Sequence, residues 1–557
     1  MKLRNVVCVC AAVVATFAGA SATAATQVWV ESSGVMILPD RAAGTQKSIE
    51  RSGVRNEYVT AQIAVRSDAD EGVPLTFEWT GLNTPNGTAI GKEHVTLFRG
   101  ADIVVGPGRD RSIVSEEKDK PRARALGTFP DALVPLYAAD GTNVANRIAP
   151  EKDRTIPFWV DVFIPEKTPP GDYTGTITLK SGAAVVATVP VKVKVLAVTL
   201  PADSTIPSLF NLRLHPHVNA NLDTYVAEAL RHRVSPTNYH YMDYIERRDG
   251  FATMDRYNPD GRGDVNVYIS ETRELTPDRS KRIVDQLRKV TAHLKGRKLF
   301  DRSFIYLKDE PSRGEIAGVV AVAKLIREQV PEWKGKILCT CTSEGAELDA
   351  VLDIQARALK MYGMWYMQSA RMTLAGREGW EKRRAQGKVL WFYVSNAQGY
   401  PFPTFDIQTV NLAWEPRVFG WAFWYEKAQG HLYWDLMFTP AWKLSGGFPP
   451  GDGQLMYPGD FTMEGAPAWV LVKDLKGPAV SRRLKHQREG LEEWELLKLA
   501  EKKVGRKPVE QIVGKVYTCM GRRTWAPDAY NPAKPDWSYD EPAWDRARDE
   551  VIRLILN

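Results

Sequence analysis

The chain has 557 residues, 44% of them hydrophobic and 25% charged, and a formal net charge of +7. That is an ordinary globular balance, long enough for two or three domains. The charge is small for this size and no basic block stands out, so nucleic acid is not expected as a partner. The five cysteines show no zinc-ligand spacing.

Residues 1–25 read as a signal peptide. Lys2 and Arg4 precede an apolar run at 6–20, and Ala22-Thr23-Ala24 offers a small-residue cleavage site. The run is too short to span a bilayer comfortably, and no second apolar segment follows. The expectation is an exported protein, periplasmic or extracellular, with no transmembrane segment. Cleavage removes Cys8 and Cys10 and lowers the charge by two. Cys339, Cys341 and Cys519 remain; the sequence leaves open whether Cys339 or Cys341 pairs with Cys519.

Residues 26–200 carry a β pattern. Tyr58, Ala61, Ile63 and Val65 alternate with polar residues, as do Phe158, Val160, Val162 and Ile164. Pro170-Gly171-Asp172 turns into a run where Tyr173, Ile177 and Leu179 alternate with threonines. Lys192 and Lys194 mark the polar face of the next strand. Alternation punctuated by Pro and Gly predicts half-buried antiparallel strands, and several of them predict a β-sandwich.

After a proline-bounded linker at 201–207, the rhythm changes to short strands alternating with amphipathic helices, the mark of an α/β fold. Strands are expected at 208–214, 234–240, 304–310, 336–342, 359–365, 388–395 and 431–436. Strand three is obscure within 250–270. Helices are expected at 223–233, 276–296, 316–330 and 414–428. Thr276-Pro277-Asp278 caps the second of these, and Gly430 is read as the C-cap of the last. The count predicts a C-terminal (β/α)₈-like TIM barrel over 208–470. Residues 471–557 are expected to be helical and to pack on the barrel.

The stretch Phe304-Ile305-Tyr306-Leu307-Lys308-Asp309-Glu310-Pro311 ends an apolar strand in two carboxylates. In an α/β barrel that is the catalytic rim. Two acids there can divide the work into proton donor and charge stabiliser. Read alone, the same residues suit a helix start, because Pro311 fits a first helical turn and acids favour the positive end of a helix dipole.

Other strand ends supply candidate sugar-binding residues: His215, Tyr362, Trp365, Tyr393, Asn396, Tyr433, Trp434 and Asp435, with Asp452 and Tyr457 in a Gly-rich loop. Aromatic faces stack on sugar C–H groups and acids and amides take hydroxyls; each aromatic could equally be core with a satisfied polar tip. His215-Pro216-His217 raises metal-dependent hydrolysis, which needs further ligands from later strands. Those strand ends carry Thr342, Tyr362 and Asn396, so neither metal nor cofactor is expected. No phosphate-binding loop and no Gly-x-Ser-x-Gly elbow appears.

Several motifs in order resemble glycoside hydrolase family 123. They are Tyr306-Leu307-Lys308-Asp309-Glu310-Pro311, Gly430-His431-Leu432-Tyr433-Trp434, Gly451-Asp452-Gly453 with Leu455 and Tyr457-Pro458-Gly459, and Ser481 with Arg483-Leu484 and Arg488-Glu489-Gly490-Leu491-Glu492. The resemblance spans residues 209–497 and includes the sandwich-then-barrel order. It implies an exo-acting β-N-acetylgalactosaminidase whose partner is a glycan with a terminal 2-acetamido sugar. It also implies substrate-assisted retaining catalysis, with Asp309 orienting the acetamido group and Glu310 as acid and base. This chemistry lies outside the two-carboxylate pattern of most glycosidases. The chain departs from the family at His431, where an aliphatic residue is expected, and at Glu493-Trp494-Glu495 in place of Asp-Tyr-Glu. Two competitors stand beside this reading: a metal hydrolase built on His215 and His217, and a non-catalytic carbohydrate-binding protein. Because the two acids are adjacent, the chain must leave strand geometry at Asp309 for both to reach one pocket.

Overall fold

Eight short parallel strands make one sheet: β1 (Ser208–Asn211), β2 (Pro236–Thr237), β3 (Val265–Tyr268), β4 (Ser303–Tyr306), β5 (Ile337–Thr340), β6 (Ile354–Ala358), β7 (Val389–Tyr393) and β8 (His431–Tyr433). Their order is β2-β1-β8-β7-β6-β5-β4-β3, which curls the sheet into a barrel with one unpaired seam between β2 and β3. The computed structural model describes residues 26–68, 74–105, 127–239, 242, 250–340, 346–358, 381–395, 403–407, 409, 411–444, 451–471, 475–518 and 537–557. Among the described residues, no helix is long and apolar enough to cross a membrane.

The seam is closed by side chains. At its lower end Asp264 accepts from Ser208 N (2.9 Å) and Ser235 Oγ (3.0 Å), tying the bases of β1, β2 and β3 together. At the upper end Tyr239 stacks on Tyr268, with centroids 5.3 Å apart. Inside the barrel Leu209, Tyr306, Leu338, Ile354, Ala356, Trp391 and Leu432 pack as one cluster. These positions alternate with residues that pack outward on the helices, so the strands are buried on both faces, as a parallel sheet requires.

The helix Pro277–Gly296 has the expected cap, with Thr276 Oγ1 accepting from Arg279 N, and the expected buried stripe of Ile283, Leu287, Val290 and Leu294. Two expectations, at Pro311 and Gly430, need correction. The strand placed at 359–365 lies outside the described residues, and β6 fills its place in the sheet at Ile354–Ala358. Gln355 and Arg357 interrupt that strand's apolar pattern, although both are buried. The obscure third strand is β3. Pro311 does not open a helix; the next one begins at Ile316, so Asp309 and Glu310 cap nothing. Gly430 is not a C-cap either, because the helix Val418–Tyr425 ends five residues earlier. Its lack of a side chain admits Trp391, which a Cβ there would meet at 2.1 Å.

The N-terminal part is two sheets face to face. One runs Ile49–Arg55, Ala184–Thr199, Gly171–Ser181, Leu82–Asn83 and Ala89–Ile90, with Leu75–Trp79 also on Gly171–Ser181. Tyr173, Ile177 and Leu179 are buried as the alternation predicts. The other runs Thr26–Glu31, Glu57–Ser67, Thr155–Ile164, Val95–Val105 and Gly127–Pro135. It then continues into Ala479–Ser481 and Met456–Tyr457, while Lys443–Leu444 pairs with Val95–Val105. Strands from beyond the barrel thus complete the sandwich.

The helix Arg482–Val504 fills the joint between the two parts. Ser481 caps it, its Oγ accepting from Leu484 N at 3.1 Å. Several of its charged residues are buried and paired: Arg483 forks onto Asp131, Lys485 and Arg488 share Asp161, and Glu493 takes Arg417 and the Trp421 indole. Burying these charges is tolerable because they meet partners of opposite sign.

Candidate active site

β4 carries Tyr306 into the barrel interior, and the chain then runs through Leu307 and Lys308 to Asp309 and Glu310, both exposed at the C-terminal rim. Leu307 N still bonds Leu338 O of β5 at 2.9 Å, so strand pairing persists to within two residues of the acids. Asp309 Oδ1 accepts from Tyr306 Oη (2.7 Å) and Thr340 Oγ1 (3.0 Å). Among the described residues, Oδ2 takes no donor. Glu310 Oε1 accepts from the hydroxyl of Tyr393, which ends β7. Two expected residues, Glu310 and Tyr393, are therefore in contact across the mouth.

The phenols of Tyr239, Tyr268 and Tyr306 cluster beside Asp309, with centroids 5.1–5.5 Å apart. Burial first, and then the Asp309 charge, push the Tyr306 and Tyr239 phenols well above the usual tyrosine range. Both stay protonated at neutral pH, and Tyr306 donates to Asp309.

Asp435, after β8, is fully buried. Its Oδ2 accepts from Asn211 Nδ2 (2.9 Å) and Arg213 Nε (2.6 Å), and its Oδ1 from Met437 N (2.9 Å). Burial pushes its carboxyl up to about 6 against the pull of Arg213 and these donors. The Arg213 guanidinium lies over the Phe438 ring at 4.7 Å, with its side chain 40% exposed. Asp452 Oδ1 accepts from Tyr433 Oη (3.0 Å) and Trp434 Nε1 (2.8 Å), and Gly453 N donates to the same Tyr433 hydroxyl (2.7 Å). These bonds pin the Gly-rich loop to β8.

Three expected substrate contacts are corrected by burial. Tyr433 and Asp435 are closed off, the first bonded to Asp452 and the second to Arg213. Tyr457 belongs to the sandwich sheet, stacks on Trp442 and donates to Asp131 Oδ2 (2.7 Å), so it serves the joint rather than the mouth. His215 Nε2 lies 3.2 Å from Met437 O, and His217 Nδ1 2.9 Å from the Tyr225 hydroxyl, so the two imidazoles engage different partners. Among the described residues, no group of three or more His, Cys, Asp or Glu could hold a metal ion. Tyr362, Trp365 and Asn396 lie outside the described residues, as do Cys341 and Cys519; Cys339 is buried, its Sγ 3.2 Å from Lys308 O. Sequence reasoning assigns no role in the site to Tyr239, Tyr268, Tyr306, Thr340 or Arg213. Their places at strand ends, and for Tyr306 its place in the motif with the two acids, are the signals that point to them.

The description "Glycoside hydrolase 123, catalytic domain" matches residues 220–500, and "Glycoside hydrolase 123 N-terminal domain" matches residues 38–181. Among solved structures, a family 123 glycoside hydrolase from Clostridium perfringens superposes with a TM-score of 0.66 at 14% identity, over 95% of this chain and 98% of that one. A family 39 glycoside hydrolase from Bacteroides cellulosilyticus follows at a TM-score of 0.35 and 8% identity, over 80% and 82% of the two chains. No curated protein matches the chain in sequence. With both family domains in order and an acid pair at the rim of the barrel, the chain belongs to glycoside hydrolase family 123.

Proposed function

We propose that this glycoside hydrolase is an exo-acting β-N-acetylgalactosaminidase in which the substrate's own 2-acetamido group is the nucleophile. The observation that carries the reading is the state of Asp309. One carboxylate oxygen is filled by Tyr306 and Thr340, and the other has no donor among the described residues. That leaves a fixed acceptor for an N–H, the group an acetamido substituent presents. The Clostridium perfringens enzyme is linked to glycolipid glycan hydrolysis, so glycans of that kind are one source of such a terminal sugar.

In this mechanism the acetamido oxygen attacks the anomeric carbon while the bond to the leaving oxygen breaks. Glu310 passes its proton to that oxygen. Asp309 holds the acetamido N–H and stabilises the positive charge that develops on the cyclised group. Glu310, now a carboxylate, takes a proton from water as the water attacks the anomeric carbon and reopens the ring. An intramolecular nucleophile arrives already positioned, which saves the entropy of bringing in a second reactant. General acid help contributes about 10²–10⁴-fold. The Tyr393 hydroxyl on Glu310 Oε1 holds the side chain in one rotamer between the two steps.

The test compares p-nitrophenyl 2-acetamido-2-deoxy-β-galactoside with the plain β-galactoside, each with and without a chelator. Cleavage of the first alone, unaffected by chelator, is expected. Comparable cleavage of the plain galactoside rejects substrate assistance.

A further inference from the structure

Consecutive residues of a strand send their side chains to opposite faces, yet Asp309 and Glu310 are both exposed at one rim. The backbone turns at Glu310, where φ is +40°. That left-handed conformation is uncommon for a residue with a side chain and persists only where neighbours impose it. The imposing contact is from Glu310 N to Thr340 Oγ1, at 2.7 Å.

Thr340 ends β5 and is only 1% exposed. Its hydroxyl has one proton, with Asp309 Oδ1 at 3.0 Å, Tyr306 Oη at 3.0 Å and Lys308 O at 3.4 Å as possible acceptors. Tyr306 also has one proton, and Asp309 Oδ1 lies nearest to it, at 2.7 Å. A carboxylate oxygen is the strongest acceptor of the set. Both hydroxyls therefore donate to Asp309, and the contact between them carries no proton. One oxygen of Thr340 thus accepts from the backbone of one acid and donates to the side chain of the other.

We propose that Thr340 is the positioning residue that sets the relative geometry of Asp309 and Glu310, an inference that rests on the roles given to those acids above. Val would fill the same volume and make neither bond. Ser would make both.

The experiment measures Thr340→Val and Thr340→Ser in the full chain against the wild type, with p-nitrophenyl 2-acetamido-2-deoxy-β-galactoside as substrate. Two ligands are added: the galactose-derived thiazoline, a stable mimic of the cyclised acetamido intermediate, and the free 2-acetamido sugar. Loss of two hydrogen bonds, one to a charged group, should lower kcat of the Val variant about 10- to 100-fold. Its thiazoline affinity should fall by a similar factor, while KM and free-sugar affinity stay within about threefold, because the positive charge that Asp309 faces develops only in the cyclised state. The Ser variant should retain kcat within about threefold. Wild-type kinetics in the Val variant would overturn the proposal, as would equal losses of thiazoline affinity, free-sugar affinity and thermal midpoint. A wild type that neither cleaves the acetamido substrate nor binds the thiazoline overturns the functional reading, and this inference with it.

Discussion

Arg488 and Asp161 meet in a two-armed ion pair, 3.1 Å on each arm, across 327 residues of chain. Both are buried, and Lys485 adds a third bond to the same carboxylate at 2.6 Å. Burial alone would raise the Asp161 carboxyl; the charges of Arg488 and Lys485 outweigh it and hold the group well below the usual carboxylate range. Its stabilising share is therefore present above the unfolded value of about 4 and is lost as the pH falls toward the depressed folded value. Asp161→Asn keeps the shape but strands two buried cations. We expect a loss of about 3–5 kcal/mol in urea unfolding at pH 7. A loss under about 1 kcal/mol, the range of an exposed pair, would mean that the joint does not depend on this carboxylate.

The helices Val418–Tyr425 and Arg482–Val504 cross where two glycines face each other's backbone. A Cβ on Gly420 would come to 1.7 Å from Gly490 O, and one on Gly490 to 2.2 Å from Arg417 O. Backbone cannot yield as a flexible side chain can. Gly490→Ala should push the helices apart at a cost of about 1–3 kcal/mol, read as a lower urea midpoint with an unchanged slope. Helix propensity alone favours Ala over Gly by up to about 1 kcal/mol, so an unchanged or higher midpoint would show that the crossing is not close.

His431 stands in β8 where the family resemblance calls for an aliphatic residue. It is buried between Phe210 and Phe423, and its Nε2 has no partner among the described residues. Burial lowers the imidazole from 6.5 to about 3. Between those values the unfolded chain binds the proton and the folded chain does not, so folding weakens as the pH falls, by about 1.4 kcal/mol per unit. His431→Leu removes that liability. Urea unfolding at pH 7, 6, 5 and 4 should show the variant gaining on the wild type once the pH drops below about 6.5. A gap that does not change with pH would mean that this imidazole takes up its proton as readily in the folded chain as in the unfolded one.

What could be read in advance divides by physical cause. Tyr173, Ile177 and Leu179 alternate because one sheet face is buried, and the stripe of the helix Pro277–Gly296 repeats because one helix face is buried. Periodicity reports such one-sided burial directly. It says little about β2, two residues long, or β8, three residues long, which are too short to show a period. It misleads at β6, where the buried Gln355 and Arg357 bond to each other and Gln355 to Asp349. The charges of Arg482–Val504 give no local sign of burial, since Glu495, Lys485 and Arg488 find partners 290 to 327 residues away. In the site, Asp309 and Glu310 stand out because two acids ending an apolar strand are chemically unusual. Thr340 does not, because one more threonine in a strand is unremarkable until its hydroxyl is placed between them.

The two acids should fail in different ways. Glu310→Gln keeps the size of the side chain but removes the proton donor, so its effect should follow the leaving group. Substrates with a poor leaving group should lose about 10²–10⁴-fold in kcat, whereas a dinitrophenyl glycoside, whose leaving oxygen needs little help, should lose far less in the first step. Asp309→Asn keeps the contacts of Oδ1 with Tyr306 and Thr340 as an acceptor but removes the negative charge facing the cyclised group. Loss of such preorganised electrostatic help costs about 10²–10³-fold in kcat for a single donor elsewhere, and here it should be felt on every 2-acetamido substrate, activated or not. The measurement is a leaving-group series on both variants. Parallel lines for Glu310→Gln and wild type would remove the acid role from Glu310, and a leaving-group-dependent loss in Asp309→Asn would move that role to its neighbour.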